Sequence, residues 1–98
     1  MTGRPPKLSE TDRTEALGNL PGWDYRADEK AIRRTFKFSD FSEAWAFMTR
    51  AALLAEQIDH HPEWFNVYNR VEVKLTTHDA DGVTRLDIQM ATAMESFC

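Results

Sequence analysis

All three histidines of this 98-residue chain fall in two short segments, Asp59-His60-His61-Pro62 and Thr77-His78-Asp79. Histidine titrates close enough to neutrality to move protons in either direction, so His60, His61 and His78 are candidates for an acid–base site. Glu56 stands one helical turn before His60, where its carboxylate is expected to orient that imidazole or raise its basicity. A zinc site would need three or four ligands converging on one point, and these imidazoles supply suitable atoms. Adjacent residues in extended backbone point to opposite sides, however, and no His-Glu-x-x-His pair is present, so no metal is expected. The sequence also has no Gly-rich phosphate loop, no Gly-x-Ser-x-Gly elbow and no cysteine close to a histidine. Covalent catalysis and a phosphate-anchored substrate therefore lack candidates. On residue types alone, a His-His-Pro run is equally readable as a solvated helix stop.

Both segments sit at the ends of predicted elements, where a rigid scaffold presents side chains to a ligand. The longest of these elements is a helix from about Phe41 to Ile58, capped by Ser39 or Asp40. Its apolar residues Phe41, Ala44, Trp45, Met48, Ala51, Ala52, Ala55 and Ile58 recur at spacings of three and four. Phe47 and Leu54 lie off that stripe, which suggests a second buried surface or a subunit contact, and Leu53 widens the apolar arc. The helix must stop before Pro62, because the proline ring drives His61 out of helical conformation.

Residues 1–8 hold Gly3, Pro5 and Pro6 and read as a flexible arm, and residues 9–98 read as a single domain. Ser9 offers an N-cap and Gly18 a stop for a helix over about residues 10–17. Pro21-Gly22 marks a turn, after which Trp23-Asp24-Tyr25 and Ala31 to Phe38 form a hairpin. Ile32, Phe36 and Phe38 share one face, with Arg34 as the exception that belongs near an edge or against a partner. Trp64 to Tyr68 and Arg70 to Thr77 read as two further strands, turning at Asn69. The last stretch fits a strand or a helix by periodicity. Thr84 and Asp87, spaced as a capping box with Val83 and Ile88 as a staple, favour a helix from about residue 85.

The bulk composition narrows the function. With 42% hydrophobic and 29% charged residues the chain is in the ordinary globular range. A formal charge of −4, from 12 Lys+Arg against 16 Asp+Glu, disfavours nucleic acid as a partner, and the mild cluster of Arg33, Arg34 and Lys37 reads as a solvated strand face. The only cysteine is Cys98, so no intrachain disulfide can form, which fits a reducing cytoplasm. No apolar run is long enough for a secretory signal or a membrane span.

The run from Ala55 through Glu56, Asp59-His60-His61-Pro62-Glu63-Trp64-Phe65 to Asn69, followed by Val71, Val73, Leu75 and Thr77-His78-Asp79, closely resembles the pterin-4a-carbinolamine dehydratase family. Gly22-Trp23 upstream and Phe47-Met48-Thr49-Arg50 in the long helix add to the resemblance, which runs from about Gly22 to Phe97. It implies an α+β fold, a four-stranded antiparallel sheet with three helices packed on one side in the order α-β-β-α-β-β-α. It also implies a homodimer or homotetramer, no metal and no organic cofactor. The implied reaction removes water from 4a-hydroxytetrahydropterin to give the quinonoid dihydropterin used in tetrahydropterin recycling. By this resemblance His60, His61 and His78 are catalytic, and Glu56, Asp59, Pro62, Trp64, Thr76, Thr77 and Asp79 line the pterin site. Asp79 stands where many relatives carry glutamate, which shortens a hydrogen-bonding arm by one methylene. Family members also act as protein-binding modules, including a dimerisation cofactor of a homeodomain transcription factor, and that is the competing expectation.

Overall fold

Ser9 starts the first helix by accepting a hydrogen bond from the Asp12 N–H at 3.1 Å, and α1 (Glu10–Leu17) runs from there to Gly18. The computed structural model describes residues 4–98, so the part of the expected arm at Met1 to Gly3 lies outside the described residues. Residues 4–8 lie along the domain. The Leu8 N–H donates to the Val83 carbonyl at 2.9 Å, and the Leu8 side chain packs against the core.

Strands β1 (Asp24–Arg26) and β2 (Ala31–Lys37) form the expected hairpin, with Lys30 in a left-handed conformation just before β2. Helix α2 (Phe41–Ile58) starts on two side-chain caps. Asp40 accepts from the Glu43 N–H at 2.9 Å, and the Glu43 carboxylate accepts from the Ser39 N–H at 2.9 Å. Strands β3 (Glu63–Val67) and β4 (Arg70–Leu75) follow, then a single 3-10 turn (His78–Ala80) and α3 (Arg85–Phe97). The sheet is fully antiparallel in the order β1-β2-β4-β3, because α2 carries the chain to the far edge and β4 returns between β3 and β2.

Register puts Ile32, Arg34 and Phe36 opposite Leu75, Val73 and Val71 on one face of the sheet. The apolar members of that set are buried with Ala44, Phe47, Ala51 and Ala55 of α2 and Met90, Ala91 and Met94 of α3. The other face carries Arg33, Thr35, Glu72 and Lys74, so the helices lie on one side only. Arg34, on the helix-facing side, lies just past the last β1–β2 pair at Asp24 and Arg33. Its guanidinium donates to Glu95 of α3, which also accepts from the Trp23 indole N–H at 2.9 Å. The charge that interrupts the apolar face is thus neutralised within the chain.

The face of α2 differs from the expected stripe. Phe47 is fully buried, its ring 4.6 Å from Phe36 and 5.1 Å from Phe38, and Leu54 packs partly against the same core. Phe41 and Trp45 are instead 47% and 57% exposed and stack on each other at 6.2 Å. A helix that is apolar around most of its circumference does not reveal from spacing which arc meets the sheet.

Candidate active site

Helix α2 ends because Asp59 adopts φ 52°, ψ 47°, and the N–H groups of Asp59 and His60 both donate to the Ala55 carbonyl. This left-handed residue reverses the chain so that His60 turns inward, with 6% of its surface exposed, while His61 stays outside.

His60 Nε2 lies 2.6 Å from Oδ1 of Asp87, a residue with no exposed surface in the first turn of α3. The other carboxylate oxygen, Oδ2, accepts from the Thr77 hydroxyl and from the Thr84 N–H, both at 2.8 Å. The Thr77 and Thr84 hydroxyls are themselves 2.8 Å apart. Asp87 therefore completes the expected capping box with Thr84 and at the same time anchors an imidazole from α2. A carboxylate only accepts, so Nε2 of His60 must carry its proton, and a neutral His60 keeps Nδ1 as its acceptor.

The other two imidazoles follow the same pattern at the surface. His61 Nε2 is 2.6 Å from Glu56 Oε1, and His78 Nε2 is 3.0 Å from Glu63 Oε2. Glu56 was expected to serve His60; it meets His61 instead, because the left-handed Asp59 breaks the helical spacing that would have aligned residues 56 and 60. Exposed pairs of this kind add little to stability, so their effect is to fix ring orientation and tautomer.

These segments converge on a cavity of about 240 Å³ lined by Arg4, Asp59, His60, His61, Thr76, Thr77, His78 and Asp79. Glu56 stands behind His61 and does not form part of the wall. Pro62 and Trp64, expected at the pocket, are not on its wall either. Trp64 opposes Val73 on the helix-facing side of β3 and packs partly against the core, because residues alternate sides along a strand. Arg4, Glu63 and Asp87 belong to the site or its support and were not singled out for it from sequence. Of these only Asp87 left a signal there, as the partner of Thr84 in the capping box.

The turn before β2 braces the loop that carries His78. The Thr76 hydroxyl donates to the Lys30 carbonyl at 2.8 Å, and Lys30 Nζ meets Asp81 Oδ2 at 2.9 Å. That hydrogen bond holds the Asp81 carboxyl below its ordinary range and raises the Lys30 ammonium. A larger hollow of about 480 Å³ lies at the β1–β2 side of the molecule, where Glu29 and Arg33 pair with each other. Its lining includes no histidine, so the smaller cavity is the one that gathers groups able to exchange protons near neutrality. Among the described residues no three His, Cys, Asp or Glu side chains converge to hold a metal ion.

An α+β domain that presents imidazoles, each paired with a carboxylate, around one small cavity holds the kinds of group that acid–base chemistry requires. The chain belongs to the pterin-4a-carbinolamine dehydratase family: the family model described as Pterin 4 alpha carbinolamine dehydratase matches residues 6–97. A Novosphingobium aromaticivorans protein provisionally named as such a dehydratase is 63% identical over 93% of this chain and 95% of its own length. A Bradyrhizobium diazoefficiens protein of the same provisional name is 57% identical over 92% of this chain and 90% of its own. The crystal structure of a transcriptional coactivator/pterin dehydratase from Brucella melitensis superposes with a TM-score of 0.90 at 55% identity, covering 93% of this chain and 97% of that one. A pterin dehydratase-like RuBisCO assembly factor of the alpha-carboxysome shares the fold, with a TM-score of 0.67 at 17% identity over 78% of this chain and 88% of that one.

Proposed function

We propose that this chain dehydrates a 4a-hydroxytetrahydropterin in the cytoplasm, with His60, His61 and His78 exchanging the protons. The C4a–O bond breaks, the leaving hydroxyl takes a proton and departs as water, and the adjacent ring nitrogen gives up its hydrogen to leave the quinonoid dihydropterin. The observation that carries this reading is the meeting of all three imidazoles on one cavity. Two of them are exposed and free to trade protons with substrate and solvent, while His60 is locked to Asp87. Asp59, Asp79, Thr76 and Thr77 supply acceptors and donors for the pterin edge, and Glu56 orients His61. Stopped-flow mixing of synthetic carbinolamine with chelator-treated protein tests the proposal. Dehydration faster than the uncatalysed reaction, and unchanged by the chelator, is expected; no acceleration at saturating protein would overturn it.

A second reading draws on surfaces the chemistry does not use. Phe41 and Trp45 on α2, and Phe65 and Val67 on the edge strand β3, leave large apolar side chains in solvent. Such surfaces suit self-association or a protein partner. We expect a homodimer or homotetramer in which α2 is covered, and Trp45→Glu to shift sedimentation towards monomer. A wild-type chain that sediments as monomer at all concentrations would refute it.

A further inference from the structure

The described arm brings the only lysine or arginine of the cavity wall to the histidines. We propose that Arg4 is a positioning residue that holds the Asp59 carboxylate in one orientation to receive the donor edge of a reduced pterin; this rests on the dehydratase reading above. Asp59 needs such a partner. Its side chain is 83% exposed, and without a partner it would sample several rotamers. An Arg4 guanidinium nitrogen lies 3.3 Å from Asp59 Oδ2, and only 27% of the Arg4 side chain is exposed.

The contact is prepared by the segment behind it. The Leu8 N–H is bonded to the Val83 carbonyl. The Lys7 stem lies over Gly82 so closely that a Cβ there would be 2.5 Å from Lys7 Cδ. Glycine at 82 thus leaves room for the Lys7 stem. Pro5 and Pro6, between those anchors and Arg4, fix φ and restrict the chain to extended conformations, so little entropy is lost in bringing the guanidinium to the rim. Charge points the same way. Asp59 and Asp79 both face the cavity, and a fixed cation beside Asp59 relieves their mutual repulsion. Asp59 then offers its free lone pairs to the amino and ring N–H donors of an aminopyrimidine.

The test measures affinity as well as rate, on the full chain, using dehydration kinetics and fluorescence titration with a non-reactive reduced pterin. Arg4→Ala should raise KM and Kd by about 5–20-fold, reaching only the bottom of the range for a hydrogen bond to a charged group because the pair is partly solvated. The change should fall on KM rather than kcat. Arg4→Lys should recover part of the loss, since an ammonium restores the charge without the planar fork. Because Arg4 acts through Asp59, adding Arg4→Ala to Asp59→Asn should weaken binding no further than Asp59→Asn alone. Wild-type KM and Kd in Arg4→Ala, or simple additivity of the two substitutions, overturns the assignment. A wild-type chain that binds no pterin overturns the dehydratase reading and this role with it.

Discussion

His61→Ala is expected to slow dehydration by about 10²–10⁴-fold, the reach of a single positioned acid–base group. His61 is exposed at the rim of the cavity, its Nε2 held by Glu56 at 2.6 Å, so its Nδ1 is free to exchange a proton with substrate or water. Removing the ring strands nothing in the interior, because Glu56 is itself exposed and stays hydrated. Stability should therefore stay within about 0.5 kcal/mol of wild type. Single-turnover rates alongside thermal melts check both halves. Turnover near the wild-type rate would remove His61 from the mechanism, and a large drop in melting temperature would recast it as a structural residue.

Asp87→Ala should do the reverse and act first on stability. Truncation leaves the His60 Nε2–H, the Thr77 hydroxyl and the Thr84 N–H without their acceptor in a region closed to water. Each buried donor left without an acceptor costs about 1–3 kcal/mol, so a loss of about 3–5 kcal/mol is expected, out of the roughly 5–15 kcal/mol that holds a domain together. For a chain of this size that corresponds to a melting temperature lower by more than about 10 °C. Asp87→Asn should recover only part of it, since the amide keeps one accepting oxygen and turns a donor towards groups that are themselves donors. Urea titration measures the difference directly. A midpoint unchanged in Asp87→Ala would mean that water enters and replaces the carboxylate. Because the same side chain caps α3 and fixes His60, lost activity at this position is to be read only after correction for the unfolded fraction.

The local signals of the sequence were reliable where one interaction decides the outcome. Ser9, Asp40 and the Thr84–Asp87 box start their helices by the hydrogen bonds their types suggest. Alternation along β4 separates buried Val71, Val73 and Leu75 from Glu72 and Lys74. What failed depended on the third dimension. The arc of α2 was read in part: Ala44, Ala51 and Ala55 are buried as expected, but packing on the sheet, not apolar content, decides between Trp45 and Phe47. The partner of Glu56 was misassigned because one left-handed residue redirects both histidines. Trp64 was placed at the pocket by the family resemblance, whereas its strand carries it to the core side of the sheet. Arg4 had no periodic pattern to betray it, and its place follows only from where Leu8 is tied.

The backbone at Asp59 governs how this pocket can be dissected. With φ at 52°, alanine at 59 would pay about 1–2 kcal/mol of conformational strain in addition to losing the carboxylate. Routine alanine scanning would then blend a distorted bend with missing chemistry and inflate the apparent importance of the position. Asparagine, which tolerates this conformation, deletes the charge alone, and glycine deletes the side chain while sparing the bend. The contrast between those two substitutions is the clean readout at this corner.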